Sequence, residues 1–167
     1  MSKVPWIAFA LMLLFAVIFL STTVSSLPAL VASHFDGAGF PTAHMTHEFY
    51  IKFVFAMGVG FPIAMVALLT LIYSRASDMK LPNREYWLAP ERIAQTRSLL
   101  VSQGVWFGSL MVAMVCYVHW LELAAHREMP PHLSNRWVGV GLLVFFAVTG
   151  VWIIKLLRAF RTPPVIT

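Results

Sequence analysis

Charge is what this sequence has least of. Only 11% of its 167 residues are Asp, Glu, Lys or Arg, while 59% are apolar and the mean hydropathy is +0.78. A soluble globular domain carries about 25% charged residues, so no part of this chain reads as a separate soluble domain. Cysteine is nearly missing as well. Cys116 is the only one and sits inside an apolar run, which rules out an internal disulfide and points to a buried, inert thiol. The sequence also lacks a phosphate-binding glycine loop, a Gly-x-Ser-x-Gly elbow and a His-Glu-x-x-His pair. It has no paired acids in the middle of an apolar run. These absences weigh against a catalyst and, since no charge lies deep in a run, against a transporter.

What remains is long apolar segments, so the expected fold is all-α: an integral membrane bundle of about four transmembrane helices. The spans are expected at 4–24, 49–73, 99–123 and 137–157, within one domain covering 1–167. The first could also be read as a secretory leader, because Val24 and Ser26 put small residues before Leu27. Its apolar stretch exceeds a usual leader core, so an uncleaved helix is expected. In the second span, Pro62 cannot donate to the carbonyl of Gly58, which predicts a kink with a neighbour packed against Gly58 and Gly60. In the third, Gly104 and Gly108 with Ser102 and Ser109 form a face that allows close helix approach.

The basic residues set an orientation. If the N-terminus is cytoplasmic, nine of the twelve Lys and Arg fall inside: Lys3, Arg75, Lys80, Arg84, Arg92, Arg97, Lys155, Arg158 and Arg161. Lys52, Arg127 and Arg136 fall outside. The positive-inside rule then makes both termini and the 74–98 loop cytoplasmic, and it explains the pI near 9.8 without a nucleic-acid partner. The partners expected are the bilayer and a membrane protein or peptide. Lys52, one turn into its span, is expected to snorkel outward as an anchor.

Two connections would share the outer face. One, from Leu27 to His47, carries Pro28, Gly37 and Gly39 for turns and Asp36 before Gly37 for an Asx-type turn. The other joins the third and fourth spans. His34, His44, His47, His126 and His132 fall in them, with His119 at the outer end of the third span. His119, Glu122 and His126 stand at i, i+3 and i+7, on one helical face if that helix continues outward. With His34 they could hold zinc, copper or iron. The competing reading is interfacial side chains bonded to water, lipid or one another. In the inner loop, Asn83 suits the cap of a short turn, Tyr86 and Trp87 suit the interface, and Pro90 suits a helix start.

Pro28, five residues, His34-Phe35, three residues, Gly39, one residue and Pro41, set between two apolar runs, resemble a bacterial membrane domain family of unknown function. That domain also occurs at the N-terminus of immunity proteins against the sporulation-delaying toxin. Leu81-Pro82-Asn83 followed by Tyr86-Trp87 resembles a further element of the family. The likeness covers roughly residues 25–92; Thr42 and Thr46-His47 depart from the usual acidic residue and Ser-Lys pair. It implies a bacterial cytoplasmic-membrane location and a noncatalytic binding, sensing or immunity-type role for the 27–47 loop. A membrane metalloprotein using the outer histidines and Glu122 is the alternative.

Overall fold

The computed structural model describes residues 2–75 and 81–161, and within these the protein is an all-α bundle of four membrane-length helices. Lys80 and Ser77 of the 74–98 loop lie outside the described residues. Helix α1 spans Val4–Thr23, with Pro5 in its first turn where the missing N–H costs nothing, and ends in a 3-10 turn at Val24–Ser26. Strands β1 (Leu30–Phe35) and β2 (Pro41–Thr46) follow as an antiparallel hairpin. Helix α2 runs over His47–Arg75, α3 is one turn at Arg84–Trp87, α4 spans Ile93–Ala125 and α5 spans Asn135–Arg161.

Helix α4 is the hub. Its small residues admit the neighbours: a Cβ on Gly108 would overlap Val66 of α2 and come within 3.2 Å of the Phe9 ring of α1. Phe9, Ala16, Val66, Val105 and Val112 fill this seam, and Cys116 is buried among them as expected. In contrast, α5 packs chiefly on α4 and buries only Phe160.

Helix α2 is irregular just before Pro62. Its hydrogen bonding widens to a π-turn over Ala56–Gly60, where the N–H of Phe61 reaches back to Ala56. This register change comes immediately before Pro62, which has no N–H to continue an ordinary ladder. Gly58 packs against Leu20 and Val115, while Gly60 faces open space.

The 27–47 segment, expected as a connection with turns of its own, folds as a two-stranded sheet. Leu30 pairs with Thr46 and Phe35 with Pro41, with register shifts on either side of His34. Asp36 makes the turn as its sequence suggests, its Oδ1 accepting from the N–H groups of Ala38 and Phe40 at 2.9 Å each. Of the two turn glycines only Gly39 takes positive φ, at 89°. The base of the hairpin is latched by His47, whose N–H donates to Ala29 and whose Nδ1 lies 3.1 Å from the carbonyls of Leu27 and Pro28. Thr46 then caps α2 by accepting from Phe49.

At the opposite end, Asn83 precedes α3 in the left-handed conformation, φ 53°, and makes no side-chain cap to that helix. Its Nδ2 instead donates to the carbonyls of Phe160 and Arg161 at 3.3 and 2.9 Å, and Trp87 Nε1 donates to Phe160 at 2.9 Å. These two side chains therefore close the C-terminal end of α5, whose last carbonyls have no helical partners. Pro90 lies in a turn just before α4, which begins at Ile93. Arg92 stacks over the Tyr86 ring at 4.0 Å.

Candidate functional site

The hairpin is clamped to the connection between α4 and α5. Leu133 N–H donates to Gly39 O at 2.8 Å, and Asn135 Nδ2 donates to Gly37 O at 2.7 Å. His132 Nε2 donates to Ala38 O at 3.0 Å. A Cβ on Gly39 would overlap the Leu133 carbonyl, so this contact requires glycine twice over, for its φ and for the space. The histidine-rich segments are therefore one folded cap at a single end of the bundle. Its exposed surface includes Leu30, Phe40 and Met129, together with His34 and His44.

Beneath the cap lies His119, 1% exposed. Its Nε2 is 2.8 Å from Thr23 Oγ1 and its Nδ1 is 2.8 Å from Tyr50 OH. The Thr23 hydroxyl donates to the Phe19 carbonyl at 2.6 Å, which commits its only proton. Thr23 Oγ1 must then accept from His119, so Nε2 carries the ring proton and Nδ1 accepts from Tyr50. The result is a directed chain from Tyr50 through His119 and Thr23 to the Phe19 carbonyl, tying α1, α2 and α4 together. Phe19 and Tyr50 rings border the imidazole at 5.4 and 5.8 Å between centroids.

Two turns further on, at the C-terminal cap of α4, the same logic fixes His126. The Ala32 N–H can only donate, and it points at His126 Nε2 at 3.1 Å. That nitrogen is therefore unprotonated, and Nδ1 donates to the Glu122 backbone carbonyl at 2.9 Å. His126 is neutral in this arrangement. The Glu122 carboxyl, 3.4 Å from Nδ1 and 12% exposed, consequently has no positive partner there. Its Oε1 is sealed from solvent and has no hydrogen-bond partner.

Glu122 also forms part of the wall of a cleft of about 250 Å³ under the hairpin. Ser33 and Phe35 come from β1, Tyr117 and Val118 from α4, Leu133 from the connection, and Val138 and Leu142 from α5. Phe35 of the loop motif therefore has a defined place, whereas His34 is exposed, its Nδ1 3.3 Å from Ser33 Oγ.

The four residues His34, His119, Glu122 and His126 are not assembled as metal ligands. Both ring nitrogens of His119 and of His126 are occupied by protein groups. Among the described residues, no group of three or more His, Cys, Asp or Glu is placed to hold a metal ion. The spacing argument put His119, Glu122 and His126 correctly on one face; it could not show that other elements reach those nitrogens first. Lys52, expected as an anchor, is exposed and pairs with Glu48 one turn earlier.

Sequence reasoning missed Thr23, Tyr50 and the Ala32 amide. Thr23 and Tyr50 stand 96 and 69 positions from His119, and nothing local to either announces the pairing. Ser33 was missed for a different reason: it lines the cleft only because strand β1 carries it there.

Fold and site together define a class, the multi-pass helical bundle capped at one end by a hairpin. No family model, no curated protein and no solved structure matches the chain.

Proposed function

We propose that the protein is a noncatalytic binding or sensing protein of the bacterial cytoplasmic membrane, of immunity type, which meets a peptide or a membrane-protein partner on its hairpin cap. One observation carries the reading. The cap is held by main-chain and side-chain bonds that use its inner edge, and it leaves Leu30, Phe40, Met129, His34 and His44 exposed on an ordered surface. Large apolar side chains beside polar ones on a rigid platform suit protein recognition. The nine-to-three distribution of Lys and Arg supports a cap facing outward and a Leu81–Trp87 element facing the cytoplasm. The spacing of Pro28, His34, Phe35, Gly39 and Pro41 supports the bacterial family assignment. The bond from the Ala32 N–H of β1 to His126 at the end of α4 supports a route by which the cap and the helices below it respond together.

The test is complementation. A strain lacking the gene is challenged with a panel of membrane-active peptides and toxins, then supplied with wild type or with the Phe40→Ala, His44→Ala double variant. Sensitivity of the deletion strain, rescued by wild type and not by the double variant at equal membrane abundance, is the expected result. A deletion strain as resistant as the parent, or rescue by the double variant, would count against the reading.

A further inference from the structure

Three histidines hold the cap in place, and they do so with opposite chemistry. His47 donates from Nδ1 to the carbonyls of Leu27 and Pro28, and His132 donates from Nε2 to Ala38 O at 3.0 Å. A carbonyl only accepts, so these bonds survive, and gain strength, when the ring takes a second proton. His126 is the exception. Its Nε2 accepts from the Ala32 N–H at 3.1 Å, while its Nδ1 already donates to the Glu122 backbone carbonyl at 2.9 Å. The one lone pair left on this ring is the one that holds β1. A proton arriving there sets two N–H donors face to face, and a backbone amide cannot reverse its role.

The charged form has a partner on the other side. The Glu122 carboxyl lies 3.4 Å from Nδ1, and its Oε1, sealed from solvent, has no hydrogen-bond partner. A carboxylate beside an imidazole favours the imidazolium. His126 therefore stands between a group on β1 that requires it neutral and a group on its own helix that favours it charged. The remaining titratable groups of the neighbouring elements are engaged elsewhere or exposed. On the connection, Glu128 lies 3.9 Å from His132 Nδ1 and Arg127 is exposed; at the start of α5, Arg136 lies over the Trp137 ring. Glu48 and Lys52 of α2 pair with each other, His34 of β1 lies beside Ser33, His44 of β2 is exposed, and His119 is enclosed by Thr23 and Tyr50.

We propose that His126 is an acid-released latch between the hairpin and α4. Neutral, it holds β1 through Ala32; protonated, it pairs with Glu122 and lets go of Ala32. The turn stays clamped to the connection through Leu133 and His132, and the base stays latched by His47, so release is confined to the strand between them. That strand supplies Ser33 and Phe35 to the wall of the cleft, which its release opens. The proposal deepens the sensing reading and rests on it for the side on which acid acts. Its own test uses purified protein without a partner, so failure of the latch and failure of the complementation are separate results.

The direction with pH follows from the competition for one lone pair. The Ala32 bond is complete above the imidazole range and is lost as pH falls through it, because the open latch takes a proton that the closed one excludes. For an imidazole titrating freely in water, at about 6.5, opening grows roughly 30-fold between about pH 8 and about pH 5.

The full-length protein in maltoside micelles is followed by hydrogen exchange with mass spectrometry at both values, each rate being divided by the intrinsic amide rate at that pH so that only opening is compared. Peptides over 30–35 are expected to lose roughly 30-fold in protection at the acid value, and peptides over 131–135 to keep theirs. His126→Gln, whose side-chain oxygen accepts from the Ala32 amide and takes no proton in this range, is expected to hold 30–35 closed at both. Glu122→Gln, which removes the counter-charge, is expected to move the opening to lower pH. If His126→Gln does not fold, the two wild-type peptides decide alone. Equal protection of 30–35 at both values would overturn the proposal, as would a parallel loss over 131–135, the mark of a cap that unfolds as a whole. So would acid opening that survives His126→Gln or is unmoved by Glu122→Gln.

Discussion

Gly37 and Gly39 stand two residues apart in one turn and are expected to respond very differently to the same substitution. At Gly39 the backbone has φ 89°, where an alanine costs about 1–2 kcal/mol in backbone strain. An added Cβ would also overlap the Leu133 carbonyl and approach His132 Nε2 to 3.0 Å. Relieving that overlap moves the connection away from the hairpin and loosens the Leu133-to-Gly39 and His132-to-Ala38 hydrogen bonds, each of net worth about 1 kcal/mol. The expected loss for Gly39→Ala is therefore about 3 kcal/mol. At Gly37 a Cβ meets nothing within 4 Å and φ is not positive, so Gly37→Ala should lie within about 0.5 kcal/mol of wild type.

Because the strain is local, the assay should be local too. Hydrogen exchange read by mass spectrometry on peptides covering 27–47 and 126–134 measures the opening of the cap separately from the bundle. About 3 kcal/mol corresponds to roughly a hundredfold faster exchange of the protected cap amides, Leu133 and Ala32 among them. Exchange indistinguishable between Gly39→Ala and Gly37→Ala would show that the cap is not clamped to the connection, and the argument for one folded cap would fail with it.

Tyr50→Phe should destabilise the bundle in micelles by about 1–2 kcal/mol, since it leaves His119 Nδ1 buried with no donor; denaturation equal to wild type would refute the directed chain. Thr23→Val should cost a similar amount, and the double variant less than the two together, because both act through one imidazole. Asn83→Ala should free the end of α5 by about 1 kcal/mol, seen as faster exchange around 158–161, and slow exchange there in the variant would contradict its role as a cap. A cysteine at Gly37 in a Cys116→Ser background should react with an impermeant thiol reagent added to intact cells; one at Ser77, which lies outside the described residues, should react only after lysis. The reverse pattern would invert the orientation.

The spans were legible because each is a continuous apolar run, and membrane-length helices need no tertiary information to be seen. The hairpin was less legible, although its signal exists: Asp36-Gly37 stands before Thr42-Ala43-His44-Met45-Thr46, whose alternation matches the burial of β2. That alternation is masked in β1 by register shifts on either side of His34, and Pro41 reads as a strand breaker until it is seen as the first residue of an edge. Asn83 was recognised as a capping residue, but for the wrong helix, since its true partner is 77 and 78 positions away. The imidazole at 119 was picked out by its depth. Its partners came from two other helices, and with them the answer to whether it was free to ligate.

Helix α5 buries one residue, and most of its lateral surface is bare. What holds it are hydrogen bonds at three heights: Asn135 to Gly37 with Tyr117 to Trp137, Trp152 Nε1 to Gln103 at 2.7 Å, and Phe160 and Arg161 to Asn83 and Trp87. In a bilayer, exchanging acyl chains for apolar side chains releases little free energy, so such a helix is joined by these polar bonds and by close contacts such as Phe107 on Trp152 and Tyr117 on Gly141. During biogenesis, α1, the hairpin, α2 and α4 can therefore complete a seam of their own. The fifth helix is then added as a late and separable piece, docked when the hairpin turn and the Leu81–Trp87 element are both in place to receive it.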